Sequence, residues 1–194
     1  YQQLSFADAE YANKGKVTRR EKFLDQLEGL LPWPAMIVVI EPHYALGQGR
    51  GRKPFPLNAM LHVHVAQIVY NYSDPGMEDA LYEIESLRRF CGIRLEAVPD
   101  ESTILQFRHL LEAQGLTQQI FKVINQTLAD RGLFLKAGTI VDASLIAAPT
   151  STKNQSQSRD PEMHSSKKGN QWFFGSKFHI GVDHETGLVH TLKV

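Results

Sequence analysis

A single aspartate interrupts a strongly strand-forming stretch at residues 136–149, which read KAGTIVDASLIAAP. β-Branched and aliphatic side chains surround Asp142, so the pattern predicts a buried β-strand. A carboxylate buried there must be paired, hydrogen-bonded or bound to a metal, because an isolated buried charge costs several kcal/mol. Asp142 is therefore the best candidate for a catalytic residue, acting as a metal ligand.

Asp142 alone does not make a phosphoryl-transfer centre. Such a centre needs several acidic ligands that hold two divalent ions about 3.5–4 Å apart. Asp183 is the only other aspartate associated with a predicted strand, and the turn residues HETG follow it. An aspartate in this position commonly caps its own backbone, so we favour a turn role for Asp183 over a metal role.

Positive charge is concentrated in the segment GQGRGRKPFP at residues 47–56. Its glycines let the backbone approach a phosphate closely, and arginine binds phosphate oxygens in a bidentate manner. Arg50, Arg52 and Lys53 are therefore candidate DNA contacts. A solvated linker explains the same composition equally well.

Three further lysines, Lys167, Lys168 and Lys177, are candidate DNA contacts near the predicted metal ligand. If the predicted strands pair, they would bring positive charge close to Asp142. That combination suits a polyanionic substrate lying across an acidic metal site.

Other residues that often carry chemistry are better explained by packing. His62 and His64 diverge by about 200 degrees on a helix, so they do not chelate one metal and we interpret them as core-edge histidines. Cys91 is the only cysteine, which excludes an internal disulfide and favours a reducing compartment, and it fits a small buried hydrophobe. The chain contains no CxxC pair, HExxH motif or phosphate-binding P-loop.

The composition is that of an ordinary globular protein, with 42% hydrophobic and 22% charged residues. Basic and acidic residues number 21 each, so a nucleic-acid partner has to be argued from where the charge lies. No apolar run reaches the roughly 18 residues of a membrane span, which predicts a cytoplasmic protein with no membrane partner. The chain starts without methionine and ends inside a predicted strand, so we expect it to be a piece of a longer protein.

Helical periodicity extends from Thr18 to Gly132, after an extended lead-in at residues 1–17. Thr18 and Glu21 form a capping box at the first helix. The predicted helices cover residues 18–31, 34–40, 56–69, 74–92, 103–114 and 116–132. We predict a helical domain at residues 18–132.

Arg108 and His109 lie on one of these helices, and a connection of about ten residues separates it from the helix before. Basic groups on the second helix of a pair are typical of a helix-turn-helix that reads the major groove. The connection is longer than the usual three or four residues, so a plain helical bundle fits as well. Both interpretations remain open from the sequence, and both residues are candidate DNA contacts.

After residue 132 the hydrophobic period changes to two, which is typical of strands. The strand of Asp142 is followed by a predicted polar loop at residues 151–171, then a strand at residues 172–183 and a third after the HETG turn. Phe174, Ser176, Phe178 and Ile180 share one face of the second strand. The fold class is therefore α+β, with a helical domain followed by the first three antiparallel strands of a mixed sheet at residues 136–194.

Several long strings, in order along the whole chain, resemble bacterial DDE transposases of the insertion-sequence-five type. They are SFADAE (5–10), MEDALYEI (77–84), STILQFRHLLE (102–112), GTIVDASLIAAPTSTKN (138–154) and RDPEMHSSKKGNQWFFGSKFHIGVD (159–183). The resemblance implies a DNA-binding domain for terminal inverted repeats followed by an RNase H-like catalytic domain.

In that family the first catalytic aspartate lies on the first strand, which is the position of Asp142. The resemblance also implies two Mg²⁺ ions, double-stranded DNA as substrate and target, and a homo-oligomeric full enzyme. Its chemistry is hydrolysis at the element end followed by joining of the 3′ hydroxyl to target DNA. The family's second aspartate and its glutamate have no counterpart here, so we expect this incomplete chain to be inactive alone. A non-catalytic DNA-binding or regulatory module, or a degenerate inactive fragment, is the alternative.

Overall fold

The computed structural model describes residues 11, 13–44, 53–133, 139–148, 159 and 163–193. Seven α-helices precede four β-strands in this part of the chain. The chain divides into two compact units, Tyr1–Ile124 and Asn125–Val194. The predicted α+β layout, with helices first and antiparallel strands after them, is confirmed.

The helices begin and end close to the predicted boundaries. They are α1 (Arg19–Leu30), α2 (Trp33–Ile40), α3 (Leu57–Tyr70), α4 (Asp74–Glu83), α5 (Glu85–Cys91), α6 (Glu101–Ala113) and α7 (Leu116–Asp130). The capping box at α1 is confirmed, because the Glu21 amide donates to the Thr18 hydroxyl at 3.3 Å and the Thr18 amide donates to the Glu21 carboxylate at 2.7 Å. Thr18 therefore sets the start of the first helix.

The predicted single helix at residues 74–92 is wrong, because the chain breaks at Ile84 into α4 and α5. Ile84 has extended backbone angles, φ −110° and ψ 101°. The Arg88 guanidinium donates to the carbonyls of Leu81 and Tyr82 at 2.8 and 2.5 Å. This side chain satisfies carbonyl groups at the end of α4 that lose their helical partners, which stabilises the break. The N-cap of α4 is Ser73, whose side chain accepts a hydrogen bond from the Gly76 amide.

The helical unit has its own apolar core. Its most deeply buried side chains are Met36, Ile40, Met60, Leu61, Val63, Met77, Leu81, Leu87, Cys91, Leu111 and Leu116. Burial raises the pKa of the Cys91 thiol well above its usual range, so the thiol stays protonated. Cys91 therefore packs as a small hydrophobe, as predicted.

His62 is also part of this core, with 3% of its surface exposed. Its ring stacks on Trp33 with a centroid distance of 3.7 Å. Nδ1 lies 2.7 Å from the Asn58 carbonyl oxygen and Nε2 lies 2.9 Å from the Glu28 carboxylate. His62 thus acts as a packing and hydrogen-bonding residue that joins α1 to α3.

Among the described helices, none by itself is long and apolar enough to cross a membrane. The segments Arg19–Leu30 and Trp33–His43 satisfy the length and composition criterion only as a pair, and the pair is bent by 68°.

The sheet is built around one long strand. Its strands are β1 (Thr139–Ala147), β2 (His164–Lys168), β3 (Gln171–Asp183) and β4 (Val189–Lys193), and β3 pairs antiparallel with each of the others. β2 lies within the polar stretch predicted as a loop, so the predicted three strands become four. The sequence pattern missed β2 because backbone pairing across a tight turn at Gly169, with φ +62°, stabilises it without an apolar run.

The prediction that β1 is buried is wrong. Ile140, Val141 and Ile146 expose 52%, 68% and 60% of their surfaces. In the described part of the chain β1 pairs with β3 along one side only, so it forms an edge of the sheet. An apolar run predicts a strand but does not show whether another element covers it.

Candidate functional site

Asp142 lies in the middle of β1, directly opposite Ile180 of β3. Its side chain is exposed rather than buried. Because the carboxylate is exposed, no burial cost requires it to have a metal partner. An exposed carboxylate on a hydrogen-bonded strand can instead meet a hydrated cation from solvent without a large burial cost.

The strand register separates Asp142 from the lysines that were expected beside it. Lys177 lies opposite Leu145, and side chains alternate along a strand, so Lys177 is on the other face from Asp142. Lys167 lies opposite Trp172, eight positions from Ile180, which is about 26 Å along β3. The prediction that Lys167 and Lys177 place positive charge next to Asp142 is therefore wrong. Lys168 is the last residue of β2 and lies opposite Gln171, farther still along β3.

Asp183 fills the turn role that the sequence favoured. It is 3% exposed, and its Oδ1 accepts hydrogen bonds from the Glu185 amide at 3.1 Å and from the Thr186 amide and hydroxyl at 2.9 Å each. These donors hold the β3–β4 turn together.

No group of three or more His, Cys, Asp or Glu side chains within the described ranges is arranged to hold a metal ion. The Asp183 carboxylate already accepts hydrogen bonds from its own turn. Asp183 also lies three register positions away from Asp142 in the β1–β3 pair. The donor set here therefore fits one ligand of a two-metal site and not the whole site.

Arg108, a predicted DNA contact, forms an ion pair within the helical unit. Its Nη2 lies 3.0 Å from Asp74 Oδ2, and Gln67 donates to Asp74 Oδ1 at 2.7 Å. Asp74 thereby joins α3, α4 and α6 through one carboxylate. The neighbouring His109 is exposed on α6.

The start of α6 is acidic, and this charge is unfavourable for a helix-turn-helix that binds DNA. Asp100 accepts a hydrogen bond from the Thr103 amide and Glu78 accepts one from the Glu101 amide, each at 2.7 Å. A recognition helix contacts DNA mainly through its N-terminal residues. Three carboxylates at that end repel phosphates, so the structure favours the plain helical bundle for this part of the chain.

Residues 53–56 of the predicted basic segment 47–56 belong to the described part of the chain. Arg50 and Arg52 lie outside the described residues, whereas Lys53 is exposed. Lys53 lines an open cleft of about 410 Å³ together with Tyr44 and Gln106.

Both halves of the chain match known protein families. Residues 12–110 match a transposase domain (DUF772), and residues 134–194 match the transposase DDE domain. The first match covers slightly more than half of the 194 residues. The chain belongs to the DDE transposases. No solved structure matches it.

Membership confirms the resemblance to DDE transposases, and the insertion-sequence-five subtype stays a prediction. Transposases act on DNA, so DNA is the partner class and DNA phosphoryl transfer is the activity class of the family. The transposase carries Asp142 inside the DDE-domain match.

The motifs and periodicities of the sequence predict no role for the basic segment KGKVTRREK at residues 14–22 of the transposase. It contains five lysines and arginines, namely Lys14, Lys16, Arg19, Arg20 and Lys22. A local charge count would have found it, because the chain as a whole is neutral.

Replacing Asp74 by alanine is expected to destabilise the helical unit by about 2 kcal/mol. The substitution removes the hydrogen bonds from Gln67 and Arg108, and Arg108 keeps some hydration because 39% of its side chain is exposed. Urea unfolding would measure the loss. Asp79→Ala, at an exposed position on the same helix, should stay within about 0.5 kcal/mol of wild type. Equal effects of the two substitutions would contradict the proposed role of Asp74 in joining the three helices.

His64 is expected to make the transposase less stable as the pH falls below about 6.5. Burial, and secondly the charge of Arg108, lowers the pKa of His64, and its Nδ1 has no hydrogen-bond partner among the described residues. The unfolded chain therefore takes up a proton that the folded chain does not, which favours unfolding. Thermal melts across pH should show this decline, and His64→Leu should flatten it. An unchanged decline in the variant would rule His64 out as the cause.

Proposed function

We propose that the transposase binds the terminal inverted repeats of an insertion-sequence-five-type element. The complete enzyme then cleaves the element ends and joins the freed 3′ hydroxyls to target DNA in a Mg²⁺-dependent reaction, acting as a homo-oligomer. The order of the two family matches supports this proposal, with the transposase domain before the DDE domain.

The observation that carries the proposal is the position of Asp142 on β1, the first strand after the helices. We assign Asp142 as the first of three metal-binding carboxylates. Carboxylate oxygens are ligands that Mg²⁺ prefers, and the metal would neutralise developing charge at the phosphate and activate the attacking group. The pairing of β1 with β3 holds the Asp142 backbone in place, and the exposed side chain is open to a polyanionic substrate.

We further propose that the 194-residue chain does not cleave DNA by itself. One carboxylate does not hold two divalent ions, and the described residues include no group of three or more His, Cys, Asp or Glu side chains arranged to hold a metal ion.

A second candidate function is a DNA-binding or regulatory module that occupies element ends without cutting them. The separate core of the helical unit favours it, since two groups of buried residues lie within Tyr1–Ile124. A unit with its own core can bind DNA without a complete catalytic domain.

The test compares the 194-residue chain with a transposase that has a complete catalytic domain. Both should bind a fluorescent duplex that ends in the element's terminal repeat, measured by anisotropy. Only the complete enzyme should nick that duplex, and only with Mg²⁺ present. Nicking by the 194-residue chain would refute its proposed inactivity, and absence of binding by both at low salt would refute the proposed function.

A further inference from the structure

We propose that the basic start of α1 is the surface by which the transposase contacts the phosphate backbone of duplex DNA. We call this surface the α1 patch and define it as Lys16, Arg19 and Lys22. The inference rests on the proposed function and deepens it, because it assigns DNA binding to a particular surface.

Positive charge is concentrated near the start of α1. Residues 14–22 hold five basic side chains and one acidic side chain, Glu21, in a chain with 21 of each sign. Charge gathered at one place in a neutral protein produces a local positive potential that the net charge hides. This is the electrostatic footprint that phosphate binding requires.

The charged side chains of the α1 patch are accessible to solvent. All three side chains of the α1 patch are exposed, and none makes an ion pair with another residue that the structure describes. Arg19 and Lys22 are three positions apart on α1, so their side chains lie on the same side of the helix. Both can therefore reach one phosphate strand.

Glu21 is the one acidic residue in the segment 14–22. It pairs with Lys14 and accepts a hydrogen bond from the Tyr11 hydroxyl at 2.6 Å. These hydrogen bonds, with Lys14 first, lower the pKa of Glu21 to about 2. The negative charge of Glu21 is thus matched by Lys14, and the positive charge of the α1 patch remains.

This arrangement of cations is unfavourable for the helix itself. Arg19, Arg20 and Lys22 lie in or beside the first turn of α1, where the helix dipole is positive and disfavours cations. Residues that conflict with local stability are expected at functional sites. A bound phosphate would interact favourably with both the cations and the dipole. Asp25 follows one turn later and limits the patch on that side.

The surface around Arg108 at α6 is less suitable for binding phosphates than the α1 patch. Arg108 is paired with Asp74, and the start of α6 carries Asp100 and Glu101. Phosphates are therefore repelled there and attracted at the α1 patch. Duplex DNA is the polyanion that belongs with a transposase, so it is the occupant we assign.

The test uses the 194-residue chain and two fluorescent duplexes of equal length, one ending in the element's terminal repeat and one with that sequence scrambled. The variant R19Q/K22Q removes two charges from the patch. The matched control R94Q/K122Q removes two charges from exposed positions elsewhere, one between α5 and α6 and one on α7. Binding is measured by anisotropy from about 50 to 200 mM salt.

We expect R19Q/K22Q to weaken binding at least about tenfold near 100 mM salt and to lower the salt slope by about 2. Both duplexes should lose affinity to a similar extent, because phosphate contacts carry no sequence information. The control variant should keep the wild-type slope. The melting temperature of R19Q/K22Q should equal or exceed that of wild type, since cations leave the N-terminus of α1.

Each other outcome counts against the inference. If the wild type binds DNA and R19Q/K22Q binds with the same slope, the α1 patch is refuted while the proposed function stands. If the wild type binds no duplex at low salt, both fail. Binding of the patch to anionic vesicles or an acidic protein without binding to DNA would also overturn it.

Discussion

Replacing Asp142 by asparagine in a transposase with a complete catalytic domain is expected to lower Mg²⁺-dependent cleavage at element ends at least about 1000-fold. Loss of one carboxylate ligand removes metal-ion stabilisation of the transition state worth several kcal/mol, and each 1.4 kcal/mol is about a factor of ten in rate. Asparagine keeps the size of the side chain, and Asp142 is exposed on β1, so the fold should not change. Single-turnover nicking of a labelled element end measures the effect.

Ser144→Ala is the matched control, because Ser144 is two positions along β1 and lies on the same face as Asp142. It should retain cleavage within a few-fold of wild type. Stabilisation by Mn²⁺ in thermal melts provides a readout independent of activity, and it should be weaker in Asp142→Asn only. Retained nicking by Asp142→Asn would remove Asp142 from the metal site.

Replacing Gly175 by alanine is expected to destabilise the sheet by at least about 3 kcal/mol. A Cβ at this position would lie 1.9 Å from the Ile146 carbonyl oxygen and 2.9 Å from its carbon. Gly175 pairs with Ala147 of β1 and with His164 of β2, so the crowding involves backbone that cannot move without breaking the pairing of Asp142's strand. Amide hydrogen exchange should show protection lost first in β1 and β3.

The control for this experiment is Gly29→Ala on α1, where a Cβ would meet nothing within 4 Å. Alanine restricts the unfolded chain and favours helix, so this variant should gain about 0.5–1 kcal/mol. If Gly175→Ala unfolds at the wild-type urea concentration, the close approach of β3 to β1 is not a constraint on the fold.

Features of the fold that depend on near neighbours were predicted well. Thr18 and Glu21 are three positions apart, and their capping box starts α1 as the sequence indicated. Asp183 binds Thr186, again three positions away. The break at Ile84 was missed because Arg88 stabilises it by a side-chain contact that helical periodicity does not describe.

The position of Asp142 on the first strand was predictable, but its surroundings were not. Alternation along β3 correctly grouped its side chains into two faces. Which residue lies opposite which depends on the hydrogen-bond register between strands, and a shift of one position moves a side chain to the other face. Lys177 was therefore expected near Asp142 and lies on the opposite face.

By itself the sequence determined most of the helices, the strand that carries Asp142, the turn at Asp183 and, through long matching strings, the transposase family. Only the tertiary structure decided that Asp142 is exposed and that Arg108 is paired with Asp74, 34 positions away. The reason is physical. Caps, turns and periodicity arise from atoms a few residues apart, whereas burial and ion pairing are set by which distant segments pack together.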